Sequence, residues 1–153
     1  MIDKLLYDPI ELIRDKAIQV LTEIRNVVQQ KENDYILNLT LKLAHDEIEI
    51  NRISALKIMN ELAPDMGQIL CESYILPEIR SLSIDEHVAV RLAVAKNFVN
   101  ASKAVSPSYF ITHVYPMYER MTQDADEKVR KACAEVIAEI AKVSPLDKKG
   151  QQL

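Results

Sequence analysis

The residue types that most often carry catalytic or metal-binding chemistry are few in this chain of 153 residues. The histidines and cysteines share no metal-ligand spacing, and no glycine-rich phosphate loop or nucleophile elbow is present. These residues are His45, His87, His113, Cys71 and Cys133. The sequence therefore predicts no catalytic residue, no metal site and no cofactor, and it predicts that the protein is not an enzyme.

These side chains have structural interpretations instead. His45 and His87 lie in or beside predicted turns, which favours surface polar roles. His113 occupies a first-helix position at which two other copies of the repeat described below have tyrosine, so we expect its side chain to have a packing role. Cys133 falls on an apolar helix stripe, which favours burial over reactivity. Both cysteines are expected to be reduced thiols of an intracellular protein.

A different pair of residue types recurs at a fixed spacing. An arginine stands six residues after an aspartate at four places, and the aspartates are 38, 39 and 39 residues apart. The pairs are Asp8 and Arg14, Asp46 and Arg52, Asp85 and Arg91, and Asp124 and Arg130. A constant period of this length is typical of repeat proteins. The chemistry open to such pairs is structural, namely helix capping and pairing between neighbouring copies.

The residues on either side of each aspartate predict two helices. Positions 5, 9, 12, 13 and 16 after the aspartate form one helical stripe, and they are apolar except at Asn51 and Asn97. The preceding segments also align, and two of them carry Pro77 and Pro116 eight residues before the aspartate. A proline inside a helix bends it, so we expect two kinks. Asn38 holds this position in the preceding copy, whose helix should be straighter.

The predicted fold is all-α, a superhelix of about four stacked helical hairpins of which the first is truncated. The predicted repeats span about residues 1–30, 33–63, 67–104 and 107–143. Residues 144–153 are expected to form a disordered tail or the start of a further repeat. Neither end carries a polar cap, which predicts a fragment of a longer array or ends that partners cover.

Each aspartate is predicted to be the N-cap of the helix that follows it. Glu11, Glu49 and Glu127 stand three residues later and predict capping boxes. Pro9 would take the first helical position. The arginine is too far from its own cap and is predicted to reach the aspartate of an adjacent copy, forming a ladder. An exposed rung contributes only about 0–1 kcal/mol, so truncating Arg91 should destabilise the protein modestly.

The pattern of an aspartate, then Val-Arg, then a small residue, resembles the HEAT repeat over nearly the whole chain. Asn51 departs from the usual valine, and Ile13 is a milder substitution. The leucine–proline pair before the aspartate and residues 129–135 are similar to a HEAT subgroup. That subgroup comprises the protein phosphatase 2A scaffold subunit and protein phosphatase 4 regulatory subunit 1. Residues 58–67, with Ile-Met, Ala-Pro and glycine, are also similar to the latter.

The resemblance implies a non-catalytic scaffold in which the turns inside the repeats form a ridge that grips partner proteins. Here the implied ridge comprises Asp46, Glu47, Asp85, Glu86, His87, Asp124, Asp126 and Glu127. The implied function is a regulatory or scaffold subunit of a phosphatase 2A-type serine/threonine phosphatase, whose catalytic subunit would be a partner. The alternative is a general HEAT adaptor for transport, cytoskeletal or other assembly. We expect a cytoplasmic location, with the nucleus as an alternative.

Charge and composition limit the classes of partner that we expect this chain to bind. The net charge of −4 argues against nucleic acid, and no stretch has the length of a membrane span. The carboxylates of the turns predict an acidic strip that attracts a basic partner, although they could equally complement helix dipoles. A HEAT-like enzyme such as a DNA-repair glycosylase would need a basic, aromatic groove, whereas aromatic residues are 5% and tryptophan is absent.

Overall fold

The computed structural model describes residues 2–25 and 30–143. In those ranges the chain is built from α-helices and two π-helical turns, and no strand occurs, which confirms the all-α prediction. The helices are α1 (Ile2–Leu6), α2 (Glu11–Arg25), α3 (Gln30–Ala44), α4 (Glu49–Met66), α5 (Gln68–Leu70), α6 (Leu76–Leu82), α7 (Val88–Asn97), α8 (Val99–Lys103), α9 (Pro107–Tyr109), α10 (Tyr115–Met121) and α11 (Glu127–Val143). The predicted tail, 144–153, lies outside the described residues.

The helices form hairpins that stack side by side. Within each hairpin a first helix packs on a second, in the pairs α1 with α2, α3 with α4, α6 with α7, and α10 with α11. The second helices also pack on one another in chain order, from α2 to α4, then α7 and α11. The prediction of stacked helical hairpins is therefore confirmed, and α1 is the short first helix of the first hairpin.

The apolar stripe of the second helices forms the core in the middle of the stack. Met59 and Phe98, at the same position of the second and third repeats, are both 0% exposed. At the two ends of the stack, residues of the stripe are partly exposed to solvent: Ile24 is 41% exposed and Ile137 is 57% exposed. The reason is that a terminal repeat has a neighbour on only one side.

At both positions where a kink is predicted, the helix contains a π-helical turn. The turns Cys71–Ile75 and Phe110–Val114 lead directly into α6 and α10. Pro77 and Pro116 are the second residues of those helices. Because proline has no N–H to donate, the preceding turn is free to widen. Helix α3 runs without interruption past Asn38, as predicted.

A further break, which the sequence did not predict, separates α7 from α8 at Phe98. The backbone N–H of Asn100 donates to Oδ1 of Asn60 on the neighbouring repeat, at 3.1 Å. Asn97 bonds back to the carbonyl oxygen of Ala93 at 2.8 Å, so a polar residue on the apolar stripe is satisfied locally. At the break, a side chain of the adjacent repeat thus accepts a hydrogen bond from a backbone N–H group.

Candidate partner-binding ridge

The turns between the two helices of each repeat share one construction. In each, the aspartate carboxylate accepts the backbone N–H of the residue two positions later, at 2.8 to 2.9 Å. The N-cap residues of α4 and α7 are Ile48 and His87, which provide no side-chain cap. The predicted N-cap role of the aspartates is therefore wrong. Each aspartate stabilises the turn that leads into the helix and does not cap the helix itself.

The predicted capping boxes are wrong for the same reason. Glu11, Glu49 and Glu127 are the first residues of their helices, because two turn residues intervene after the aspartate. A capping-box glutamate must stand at the third helical position to reach back to the cap. Pro9 likewise precedes α2 instead of opening it. In the last repeat Asp126 accepts the N–H of Lys128 at 2.8 Å, near the start of α11.

Each arginine of the recurring pairs clamps its own turn. Nη1 donates to the carbonyl oxygen of the aspartate six residues back and to that of the next residue, at 2.6 to 3.3 Å. The four arginines are Arg14, Arg52, Arg91 and Arg130. The sequence interpretation missed this contact because it considered only the aspartate carboxylate. The clamp gives the six-residue spacing a physical cause within each repeat.

Two of these arginines also reach the next repeat. Arg52 donates from Nε and Nη2 to the two carboxylate oxygens of Asp85, at 2.8 and 3.0 Å. Arg91 does the same to Asp124, at 2.8 and 3.2 Å. The side chains are only 10% and 10% exposed in the first pair and 16% and 9% in the second. The small contribution of an exposed ion pair therefore does not apply to these bidentate, shielded pairs.

The pairing also shifts the proton affinity of both carboxylates. The hydrogen bond from Arg91 is the main cause that lowers the pKa of Asp124 below its ordinary value, against an opposing effect of burial. For Asp85, burial acts to raise the pKa, but the hydrogen bonds from Arg52 and from the N–H of His87 outweigh it and lower the pKa. Both groups are therefore held in the charged form that the rungs require.

The first junction is made differently. Arg14, although 7% exposed, donates to the carbonyl oxygens of Asp8 and Pro9, and within the described ranges it makes no hydrogen bond to Asp46. Lys57 joins the first two repeats instead, with its Nζ 2.6 Å from Asp15 and 3.2 Å from Glu11. The predicted rung at this junction is absent among the described contacts.

The rungs hold the turns of the second, third and fourth repeats side by side. This contact brings together the eight residues that the resemblance assigns to the ridge, but it does not expose them equally. Asp85 and Asp124 face the arginines, whereas Glu47, Glu86 and Glu127 are exposed. The remaining ridge residues are the half-buried Asp46 and Asp126 and the exposed His87. Three glutamates thus provide most of the accessible negative charge.

His87 joins the second and third turns. Its Nδ1 lies 3.0 Å from Nη2 of Arg52, and its Nε2 lies 3.7 Å from a carboxylate oxygen of Glu49. The same Nδ1 lies 3.4 Å from Oδ1 of Asp85, the carboxylate that pairs with Arg52. His87 is therefore part of the ridge's internal network as well as of its surface.

Apolar side chains on the same turns were missed by sequence reasoning. Ile10 is 57% exposed, Ile48 is 59% exposed, and Ile84 is 65% exposed. They stand two residues after or one residue before an aspartate, outside the helical stripe, and that displacement is the signal that could have identified them. Exposed apolar residues set among carboxylates are typical of a protein interface.

The cysteines and the other histidines do not form a reactive site. Cys133 is 0% exposed, and burial, followed by the charge of Asp124, raises the pKa of its thiol to about 11. Cys71 is also fully buried, and its Sγ donates to the carbonyl oxygen of Ala63 at 3.3 Å. His45 lies 3.1 Å from Glu78 at the surface, and the ring of His113 stacks on Tyr109 at 4.2 Å.

Residues 2–25 and 30–143 contain neither a metal-binding cluster nor a membrane-spanning helix. No group of three or more histidine, cysteine, aspartate or glutamate side chains in those ranges is arranged to hold a metal ion. None of the helices there has the length and apolar character needed to span a lipid bilayer.

Comparison with known proteins agrees with this architecture. The family model described as HEAT repeat matches residues 114–144. The X-ray structure of YibA from Escherichia coli is similar to this chain, with 20% sequence identity and a TM-score of 0.72. The match covers 93% of this chain and 48% of YibA, so the chain spans about half the length of that structure. No curated protein matches the chain in sequence. The fold is that of a HEAT-repeat solenoid.

Proposed function

We propose that this HEAT-repeat chain is a non-catalytic protein-interaction scaffold whose partners bind along the ridge of intra-repeat turns. The ridge itself carries the proposal. Bidentate pairs between Arg52 and Asp85 and between Arg91 and Asp124 fix three neighbouring turns in one arrangement. A surface fixed before binding loses less conformational entropy when a partner docks.

The chemistry of the ridge defines the partner. Glu47, Glu86 and Glu127 present negative charge, while Ile48 and Ile84 present apolar surface at the same turns. A complementary partner carries lysine or arginine around an apolar centre. Complementary charge speeds association mainly at low ionic strength, so binding should weaken as salt is added.

The more specific proposal is that the chain serves as a regulatory or scaffold subunit of a phosphatase 2A-type serine/threonine phosphatase. Its support is the resemblance carried by residues 129–135 and by the leucine–proline pairs at Pro77 and, in altered form as tyrosine–proline, at Pro116. The same resemblance assigns partner contacts to the turns that the rungs align. A general HEAT adaptor would use the same ridge for a partner other than a phosphatase.

Purification of the full-length protein from its native cells, followed by identification of co-purifying proteins, tests the phosphatase link. Near-stoichiometric recovery of a phosphatase catalytic subunit is expected. Its consistent absence, with other proteins recovered in its place, would favour the general adaptor.

A charge-reversal experiment tests the ridge. The triple substitution Glu47→Lys, Glu86→Lys and Glu127→Lys should abolish recovery of the partner. A matched triple substitution reverses the same number of exposed carboxylates away from the turns, at Glu61, Glu119 and Glu135. Both variants should keep the helical circular dichroism of the parent. Loss of the partner from the control variant alone, or from neither variant, would contradict the ridge as the binding surface.

A further inference from the structure

A groove of about 460 Å³ lies between the first helices of the third and fourth repeats. Its polar lining comes from α6, from the π-helical turn 110–114 and from α10. It consists of two guanidinium groups, one imidazole and two hydroxyl groups, and it contains no carboxylate. These residues are Arg80, Ser81, Thr112, His113 and Arg120. In a chain with a net charge of −4, a groove lined in this way is a local concentration of positive charge and hydrogen-bond donors.

The two arginines of the groove differ from those of the turns. The turn arginines use their donors on backbone carbonyls and, in two cases, on an aspartate. Arg120 instead donates from Nη2 to Oγ of Ser83 at 2.6 Å, across the junction between the repeats. Ser83 is 2% exposed, so it anchors the guanidinium at the groove. Within residues 2–25 and 30–143, neither Arg80 nor Arg120 has a carboxylate partner, which leaves donors available to a ligand.

The carboxylates close in sequence to the groove residues, including Asp85 next to Ile84 and Glu119 next to Arg120, are not among the lining residues. Glu72, which lies near enough to His113 for their charges to interact, accepts the backbone N–H of Ser106 at 2.7 Å. Glu78, on α6, lies 3.1 Å from His45 of the preceding repeat. Neither lines the groove, so the positive charge there is not neutralised by contact within the described structure.

We infer that this groove binds a phosphate monoester, carried as phosphoserine or phosphothreonine on an extended segment of a partner protein. The planar guanidinium forks of Arg80 and Arg120 match the oxygens of a phosphate, and the hydroxyl of Ser81 can add a donor. Ile84, 65% exposed, and the exposed Pro116 supply apolar surface for the residues beside the phosphorylated one. The volume is within the range of sites that hold small ligands or short segments.

Charge distribution favours a single phosphorylated side chain over nucleic acid. A nucleic-acid strand presents a charge at every nucleotide and needs a continuous basic track. Here two arginines line one groove, and the turn ridge beside it presents the carboxylates of Glu47, Glu86 and Glu127, so the groove is not part of a continuous basic track. The groove lies beside that ridge, with Ile84 common to both surfaces, and the inference does not depend on a phosphatase partner.

Titration of the uniformly ¹⁵N-labelled 153-residue chain, followed by two-dimensional NMR, tests the inference. The probes are the peptide acetyl-Ala-Ile-phosphoSer-Ile-Ala-amide, its unphosphorylated form, and inorganic phosphate. The phosphopeptide should shift resonances of α6, the turn 110–114 and α10, and it should bind at least about tenfold more tightly than either other probe. Equal affinity for the unphosphorylated peptide, or for inorganic phosphate, would overturn the inference.

Substitutions locate the site. Arg80→Gln and Arg120→Gln should each weaken phosphopeptide binding about tenfold, the effect of losing one hydrogen bond between charged groups. Lys131→Gln removes the same charge from an exposed position on α11 and should leave the affinity unchanged. Arg120→Lys, which keeps the charge without the fork, should give an intermediate affinity. Unchanged binding in both glutamine variants, or equal weakening in Lys131→Gln, would show that the phosphate binds elsewhere.

Discussion

The first junction of the stack and the two that follow it are built from the same recurring pair, yet they are joined in different ways. Arg52 and Arg91 each hold the aspartate of the next repeat through two shielded hydrogen bonds. Among the described residues, Arg14 hydrogen-bonds only to carbonyl oxygens of its own turn, and Lys57 joins the first junction instead by pairing with Asp15 and Glu11. The shared element is therefore the clamp on the local turn, and the rung is an additional contact.

The difference shows which function of the pair is local and which depends on stacking. The clamp spans six residues within one chain segment, so it forms in all four repeats. The rung joins residues 33 apart in sequence and needs a particular distance between neighbouring turns. The middle and last junctions meet that requirement. Stability and salt response should accordingly differ between the two regions.

The largest expected effect compares one stripe position in the middle of the stack and at its end. Phe98→Ala should lower the free energy of unfolding by about 3–5 kcal/mol, because Phe98 is 0% exposed and its removal leaves a cavity. Ile137→Ala, at the equivalent position but 57% exposed, should cost only about 0.5 kcal/mol. Urea unfolding followed by circular dichroism measures both. Similar costs would mean that the end of the stack is as closely packed as its middle.

The second comparison concerns the aspartates. Asp85→Asn should cost about 1.5–3 kcal/mol, because it leaves the guanidinium of Arg52, whose side chain is 10% exposed, without its charged partner. Asp46→Asn should cost about 0.5 kcal/mol, since an amide oxygen can still accept the N–H of Ile48. The same urea measurement applies. Equal costs would show that the rung adds nothing to the turn contact.

Acid should remove the contribution of the rungs to the free energy of unfolding. The pKa of Asp124 is lowered in the folded state, chiefly by Arg91, so this carboxylate stabilises the fold above its unfolded pKa. That contribution is lost as the pH falls through the lowered folded value. The stability difference between the parent and Asp124→Asn should therefore be greatest at pH 7 and shrink below about pH 4.

Asp8→Asn is the control for the acid experiment, because among the described residues Arg14 contacts the backbone carbonyl of Asp8 and no arginine pairs with its carboxylate. The stability difference between the parent and Asp8→Asn should be small at every pH. Urea midpoints measured between pH 7 and pH 3 give both curves. A difference for Asp124→Asn that stays constant across this range would contradict the role assigned to its charge.

The smallest expected effect is confined to the first junction. Lys57→Gln should cost about 0.2–1 kcal/mol at low ionic strength, because its partners Asp15 and Glu11 are 45% and 71% exposed. Salt at about 1 M screens such a pair and should abolish the difference. The cost of Asp85→Asn should persist at that salt concentration. A cost of Lys57→Gln that persists at about 1 M salt, together with a cost of Asp85→Asn that disappears, would contradict the assignment of an exposed pair to the first junction and a shielded pair to the second.

Much of the fold could be predicted because helix periodicity and the repeat period are written in local sequence. The apolar stripe, the interruption of regular helix near Pro77 and Pro116 and the unbroken helix around Asn38 follow from spacing and from the missing N–H of proline. The break at Phe98 could not be predicted in this way, because it depends on an amide oxygen of Asn60 in another repeat.

The ridge was located by sequence, but its chemistry was only partly anticipated. The pattern placed carboxylates at the turns without distinguishing those that face arginine from those that face solvent. Asp85 and Glu86 are adjacent in sequence, yet the side chain of the first is 10% exposed and that of the second is 87% exposed. That distinction arises from the position of Arg52 on the neighbouring repeat.

By itself the sequence determined the all-α hairpins, their number and the position of the turns, because these depend on contacts between residues a few positions apart. Only the tertiary structure decided which arginines form rungs, which carboxylates remain exposed, and that Arg80 and Arg120 line one groove. Those features depend on distances between repeats, and such distances are set by how whole helices pack against one another.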